Sequence, residues 1–154
     1  MKRRAFTLIE LIIVLAIISI SFVVLVFRFS IIDKIGAESE IKTFVNDYSY
    51  ARDKALSTGK DIEINFEGNS YTIIDLIYDE DGNNLISKQV VDTKRDLKYI
   101  KSLDINEITF YSNGYVYINK TKEKHKFKIV SKKDQQKYWF FTIQAVGGYL
   151  NEKD

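Results

Sequence analysis

The chain has 154 residues, of which 45% are hydrophobic and 29% charged, and its formal net charge is +2. That size and balance suit one folded domain and argue against a disordered chain. The absence of Cys and Pro excludes disulfides, thiolate chemistry and Pro-rich architecture, and a single His leaves little for metal ligation or acid–base catalysis.

The N-terminus carries three adjacent bases, Lys2, Arg3 and Arg4, and then Ala5. From Phe6 to Phe27 every residue is apolar or small and uncharged, except Thr7 and Glu10; Arg28 ends the run. About 22 residues at ~1.5 Å each cover ~33 Å, enough for a bilayer core of about 30 Å. Residues 6–28 therefore read as a transmembrane helix, and the bases before it place the N-terminus in the cytoplasm. A secretory signal peptide has a shorter apolar core followed by a small-residue cleavage site, and none stands near Ser30. A plain signal anchor accounts for the length and the bases but not for Glu10. A carboxylate within a bilayer costs about 2.5–3.5 kcal/mol on insertion scales and marks function.

The order of these features resembles the type IV prepilins. Their short basic leader ends in a small residue and is followed by Phe-Thr-Leu-Ile-Glu and a long apolar helix; here the run is Phe6-Thr7-Leu8-Ile9-Glu10. The resemblance implies cleavage between Ala5 and Phe6 by a prepilin peptidase, N-methylation of Phe6, and a filament-assembly role for Glu10. In an assembled filament the Glu10 carboxylate would pair with a neighbour's Phe6 amine, offsetting the burial of both charges. The family usually has Gly where this chain has Ala5. Removing Met1–Ala5 takes three of the 23 bases and leaves the 21 acids in slight excess, so the basic balance belongs to the leader.

Beyond Arg28, the positions Ile41, Phe44, Val45, Tyr48, Ala51, Ala55 and Leu56 recur at spacings of three and four. They predict an amphipathic continuation of the helix over residues 29–58, with Lys42, Asp47, Asp53 and Lys54 toward solvent. Gly36 reads as a soft junction and Thr58-Gly59 as the stop. Strands follow over residues 59–154. Asp61–Glu67 alternates as a half-buried strand, Gly68-Asn69 turns, and Tyr71–Tyr78 returns. Gly82-Asn83-Asn84 turns into Leu85–Val91, and Ser112-Asn113-Gly114 joins Ile108–Tyr111 to Tyr115–Ile118. Lys126–Val130 and Tyr138–Ile143 come next, and Gly147-Gly148 turns before Tyr149-Leu150. The expected class is α+β, pilin-like: a long N-terminal helix, half of it transmembrane, packed on antiparallel sheets. The stretches Ala51–Ala55, Gly59, Asp61–Phe66, Ile108–Phe110 with Gly114, and Gly147–Tyr149 are similar to the GspH/FimT-like minor pilins and pseudopilins.

No phosphate loop, nucleophile elbow or zinc spacing is present. His125, among lysines, reads as part of a solvated strand or turn. Asp79, Asp81 and Asn83 have the spacing of the first EF-hand ligands, but the Gly position holds Asn84 and the twelfth holds Val90, so the segment reads as a polar turn. No cofactor, metal or catalytic residue is expected. Charge is segregated: seven acids and no Lys or Arg lie in Asp61–Asp81, and eight lysines lie in Lys120–Lys137. Opposed faces of this kind would orient one subunit on the next. Lys120, Lys122, Lys124, Lys126 and Lys128, near Tyr115, Tyr117, Tyr138 and Trp139, form a candidate basic surface.

The expected function is that of a non-enzymatic minor pilin or pseudopilin. It would sit once across the cytoplasmic membrane with its C-terminal domain outside, and then join a surface or periplasm-spanning filament of a pilus, type II secretion or competence machine. The resemblance names its partners as prepilin peptidase, other pilin subunits and, indirectly, an assembly platform protein and ATPase. The alternative is a membrane-anchored binding module that never assembles and holds DNA through Lys120–Lys137.

Overall fold

A computed structural model describes residues 7–81, 84–92, 94–122, 125–144 and 146–153, with backbone alone for 24–30. The chain divides into two compact units, Met1–Ile35 and Gly36–Asp154. Helix α1 (Leu8–Thr58) includes residues of both.

In the second unit, six-stranded antiparallel sheet A runs β3 (Leu85–Val90), β2 (Ser70–Tyr78), β1 (Asp61–Glu67), β6 (Glu107–Phe110) and β7 (Val116–Ile118), with short β4 (Arg95–Asp96) also on β2. Sheet B runs β10 (Leu150–Lys153), β9 (Tyr138–Ile143), β8 (Lys126–Ser131) and β5 (Ile100–Ser102). The sequence reading lacked β4, β5 and β10, which are only two to four residues long and too short to show a period.

The helix stripe is Ala37, Ile41, Phe44, Tyr48, Ala51 and Ala55, all buried. Its spacing of four and three keeps one face toward the sheets. Phe44 is the hub. Its ring centroid lies 5.8 Å from Phe66 and 5.7 Å from Tyr71 in sheet A, and 6.1 Å from both Phe127 and Phe141 in sheet B. One helical side chain thus closes a core shared by two sheets, and truncating it to Ala would cost about 3–5 kcal/mol. Val45 packs partly buried against this core, whereas Leu56 is 45% exposed: it lies beyond Ala55, where the stripe ends.

Several polar expectations are corrected. Gly36 lies within α1, with helical residues on both sides of it. A Cβ there would lie 2.5 Å from the Tyr99 ring, so glycine serves close packing. Asp47 and Lys54 are not solvent decoration. Asp47 Oδ2 accepts from the Tyr71 hydroxyl at 2.6 Å and from Arg95 Nε at 3.2 Å, and Lys54 Nζ lies 3.0 Å from Asp75 Oδ1. Strand β1 is buried on both faces around its centre: Glu63 is only 2% exposed and accepts from Lys88 Nζ at 2.7 Å and Asn65 Nδ2 at 3.0 Å. The helix stop is as read, with Gly59 at φ 67° and its N–H donating to Ala55 O at 3.1 Å.

Candidate functional site

Two regions carry the residues singled out from the sequence. The first is the start of α1. Ala5 and Phe6 lie outside the described residues; Glu10 is described. Thr7 and Glu10 form a capping box. Glu10 Oε2 accepts from Thr7 N–H at 2.9 Å and from the Thr7 hydroxyl at 2.8 Å, and Glu10 N–H reaches Thr7 Oγ1 at 3.4 Å. The Thr-x-x-Glu spacing produces this, because a helix start leaves N–H groups without partners. Sequence reading gave Glu10 a role between chains and missed this role within the chain, although Thr-x-x-Glu was in view.

Every described side chain from Thr7 to Val23 is exposed, including Leu8 at 78% and Ile9 at 66%. Ser19 and Ser21 do not disturb the apolar surface, because their hydroxyls donate back to Leu15 O at 2.7 Å and Ile17 O at 2.8 Å. Among the described residues no helix is long and apolar enough to cross a membrane. The stretch read as a span, 6–28, includes Phe6 and the side chains of 24–28, which lie outside them.

The second region is the lysine-rich stretch, and the structure divides it. Asn119 and Lys120 occupy left-handed backbone at φ 51° and 60°, held by Asn119 Oδ1 on the N–H groups of Asn106 and Glu107 at 2.8 and 3.2 Å. Lys120 lies 3.8 Å from Glu107, and Lys122 stands 5.7 Å from the Tyr117 ring centroid. Lys124 lies outside the described residues. Lys126 and Lys128 are exposed on β8. Lys128 sits 5.0 Å from the Tyr138 ring centroid and 5.9 Å from that of Phe140. Lys137 pairs with Glu38 at 2.9 Å, and Lys132 donates to Leu97 O. Trp139 is core at 8% exposure, whereas Tyr115 and Tyr138 are about half exposed, at 46% and 56%. His125 lines a cleft of about 360 Å³ with Asn113, Tyr117 and Lys122, and its Nδ1 is buried without a partner among the described residues.

The acidic stretch is largely consumed inside the fold. Glu63 and Asp75 are paired with Lys88 and Lys54, Glu67 lies 3.7 Å from Lys94, and Asp61 accepts from Ser112 N–H at 2.8 Å. Asp79 accepts two hydrogen bonds from Asn84, at 3.1 and 2.7 Å. Among the described residues no three His, Cys, Asp or Glu side chains gather as a metal site.

Against known proteins, residues 1–26 match the prokaryotic N-terminal methylation motif. No curated protein matches the chain by sequence. Solved structures share its fold. The type IV minor pilin FimU of Pseudomonas aeruginosa matches with a TM-score of 0.54 at 15% identity, over 79% of this chain and 90% of that one. The minor pseudopilin EpsH of the Vibrio cholerae type 2 secretion system matches with a TM-score of 0.53 at 16% identity, over 76% and 95%. The fold class is therefore the one expected, a pilin-like helix and antiparallel β domain.

Proposed function

We propose that this chain is a minor pilin or pseudopilin, a structural and non-enzymatic subunit of a type IV pilus-like filament. One observation carries the reading: the methylation motif over residues 1–26 opens a helix whose described apolar side chains from Leu8 to Val23 are all exposed. Such a surface requires lipid before assembly and other helices after it. Prepilin peptidase removes residues 1–5 on the cytoplasmic side, and the new Phe6 amine is methylated. Residues 6–28 hold the chain in the cytoplasmic membrane, with residues 59–154 outside. Assembly machinery then draws the chain into the filament.

The capping box refines the part played by Glu10. Oε2 is held by Thr7, which fixes the carboxylate at the helix start, and among the described residues Oε1 is left for a second donor. A neighbour's Phe6 amine fits that place and offsets the cost of an apolar setting. The test is recovery of the chain in sheared filaments from cells carrying the assembly machinery. Wild type is expected in the filament fraction, and Glu10→Ala is expected to be cleaved yet to remain in the membrane. Equal recovery of Glu10→Ala, or wild type confined to the membrane, would favour the anchored module.

A further inference from the structure

Once internal pairs among the described residues are removed, only part of the segregated charge remains. On the acidic side it is the turn after β2, where Glu80 and Asp81 are exposed and joined by no ion pair to another described residue. Beside them, Asp79 accepts from Asn84 and its N–H donates to Asn84 O at 2.9 Å. On the basic side it is the outer face of sheet B. Register places Lys128 beside Phe140 and Phe140 beside Lys153, so two lysines flank one aromatic ring across three strands. Adjacent strands lie about 4.8 Å apart, so the two stems stand roughly 10 Å from each other. Between them is an open cleft of about 550 Å³ lined by Lys128, Tyr138, Phe140, Glu152 and Lys153. Lys126, on the same face of β8, adds a third cation.

We infer that this cleft receives the Glu80–Asp81 turn of a second copy of the chain. The inference rests on the subunit reading above. Charge selects the occupant: Lys126, Lys128 and Lys153 outnumber the Glu152 carboxylate at the cleft, which leaves it net positive and suits a short turn bearing two adjacent carboxylates. Symmetry agrees, because turn and cleft are different surfaces. Their contact is heterologous, so it repeats head to tail and does not close into a pair. Complementary charge of this kind fixes orientation and rejects wrong partners.

The experiment uses the full chain in membranes with active prepilin peptidase. No native cysteine interferes, so Leu85→Cys, beside the turn, with Asn151→Cys, beside the cleft, in one chain should give a ladder of multimers with a short bifunctional thiol cross-linker. Lys128→Glu with Lys153→Glu should lower the ladder about tenfold, and so should Glu80→Lys, since each sets like charges against each other. Joining the two sets should restore it. A ladder indifferent to reversal, or one the joined set fails to restore, would overturn the contact. N-terminal sequencing of the same samples separates the two claims. Cleaved chains without a ladder overturn the contact alone; uncleaved chains overturn the subunit reading and the contact with it.

Discussion

Glu40 offers a sharp test of how the β domain is fastened to its helix. Its carboxylate accepts three consecutive backbone N–H groups, from Lys98 at 2.8 Å, Tyr99 at 3.0 Å and Ile100 at 3.1 Å. These residues lead into β5, so one helical side chain pins the entry to sheet B. In Glu40→Ala the Lys98 N–H, at an exposed residue, can turn to water. The partly buried donors of Tyr99 and Ile100 cannot do so fully, and each orphan costs about 1–3 kcal/mol. The expected loss is about 3 kcal/mol, a large share of the ~5–15 kcal/mol that holds a typical domain. Glu40→Gln keeps an oxygen for two donors and should lose about 1 kcal/mol. Trp139 is the only tryptophan and is core, so its fluorescence follows urea unfolding of the full chain in mild detergent. With a slope of about 2 kcal/mol per molar, Glu40→Ala should lower the midpoint by about 1.5 M with the slope unchanged. A shift under about 0.2 M would refute the reasoning.

Three further outcomes follow from buried contacts. Gly148→Ala should cost about 2–4 kcal/mol, because its Cβ would meet Val116 Cγ2 at 2.5 Å and its φ is +61°, whereas Gly59→Ala, at φ +67° with nothing within 4 Å, should cost only the ~1 kcal/mol of backbone strain; equal losses in thermal melts would contradict this. Lys88→Met should destabilise by about 2 kcal/mol by stranding the buried Glu63, less than a fully buried pair because Lys88 is 40% exposed, while Glu63→Leu with Lys88→Met should recover most of the loss; urea midpoints that rank the double below the single variant would sink the argument. Burial pushes the Tyr48 and Tyr71 hydroxyls well above the usual tyrosine range, with the Asp47 carboxylate adding to the effect at Tyr71. The folded state thus favours the neutral phenols, so their contribution is complete below pH ~10, where unfolded tyrosine ionises, and is lost as pH rises through the folded values. Stability should fall above pH ~10, less steeply in Tyr71→Phe; a flat wild-type profile there would be the contrary result.

The elements legible in advance were those written in local periodicity. The stripe from Ile41 to Ala55, the Gly59 stop, the Gly114 hairpin and strand β9 depend on neighbours in sequence, and the structure places them as read. What was hidden depends on distant partners. Nothing near Glu63 announces that Lys88 will let a carboxylate sit inside a strand, and nothing near Glu40 announces three N–H groups some sixty residues away. The same blindness made the acidic stretch look like a face, when Asp75 and Glu63 were already matched to Lys54 and Lys88. At the N-terminus the motif was legible because its chemistry is linear: bases, a small residue, Phe-Thr-Leu-Ile-Glu and an apolar run. Glu10's bond to Thr7 followed from the same spacing and could have been read from it.

The central claim, that this chain enters a pilin pathway, is tested most directly by its N-terminus. The full chain would be expressed with and without an active prepilin peptidase, and its intact mass and N-terminal residue determined. The account predicts loss of Met1–Ala5 and a methylated Phe6 only when the peptidase is active. A chain that keeps Met1–Ala5 beside an active peptidase would contradict it.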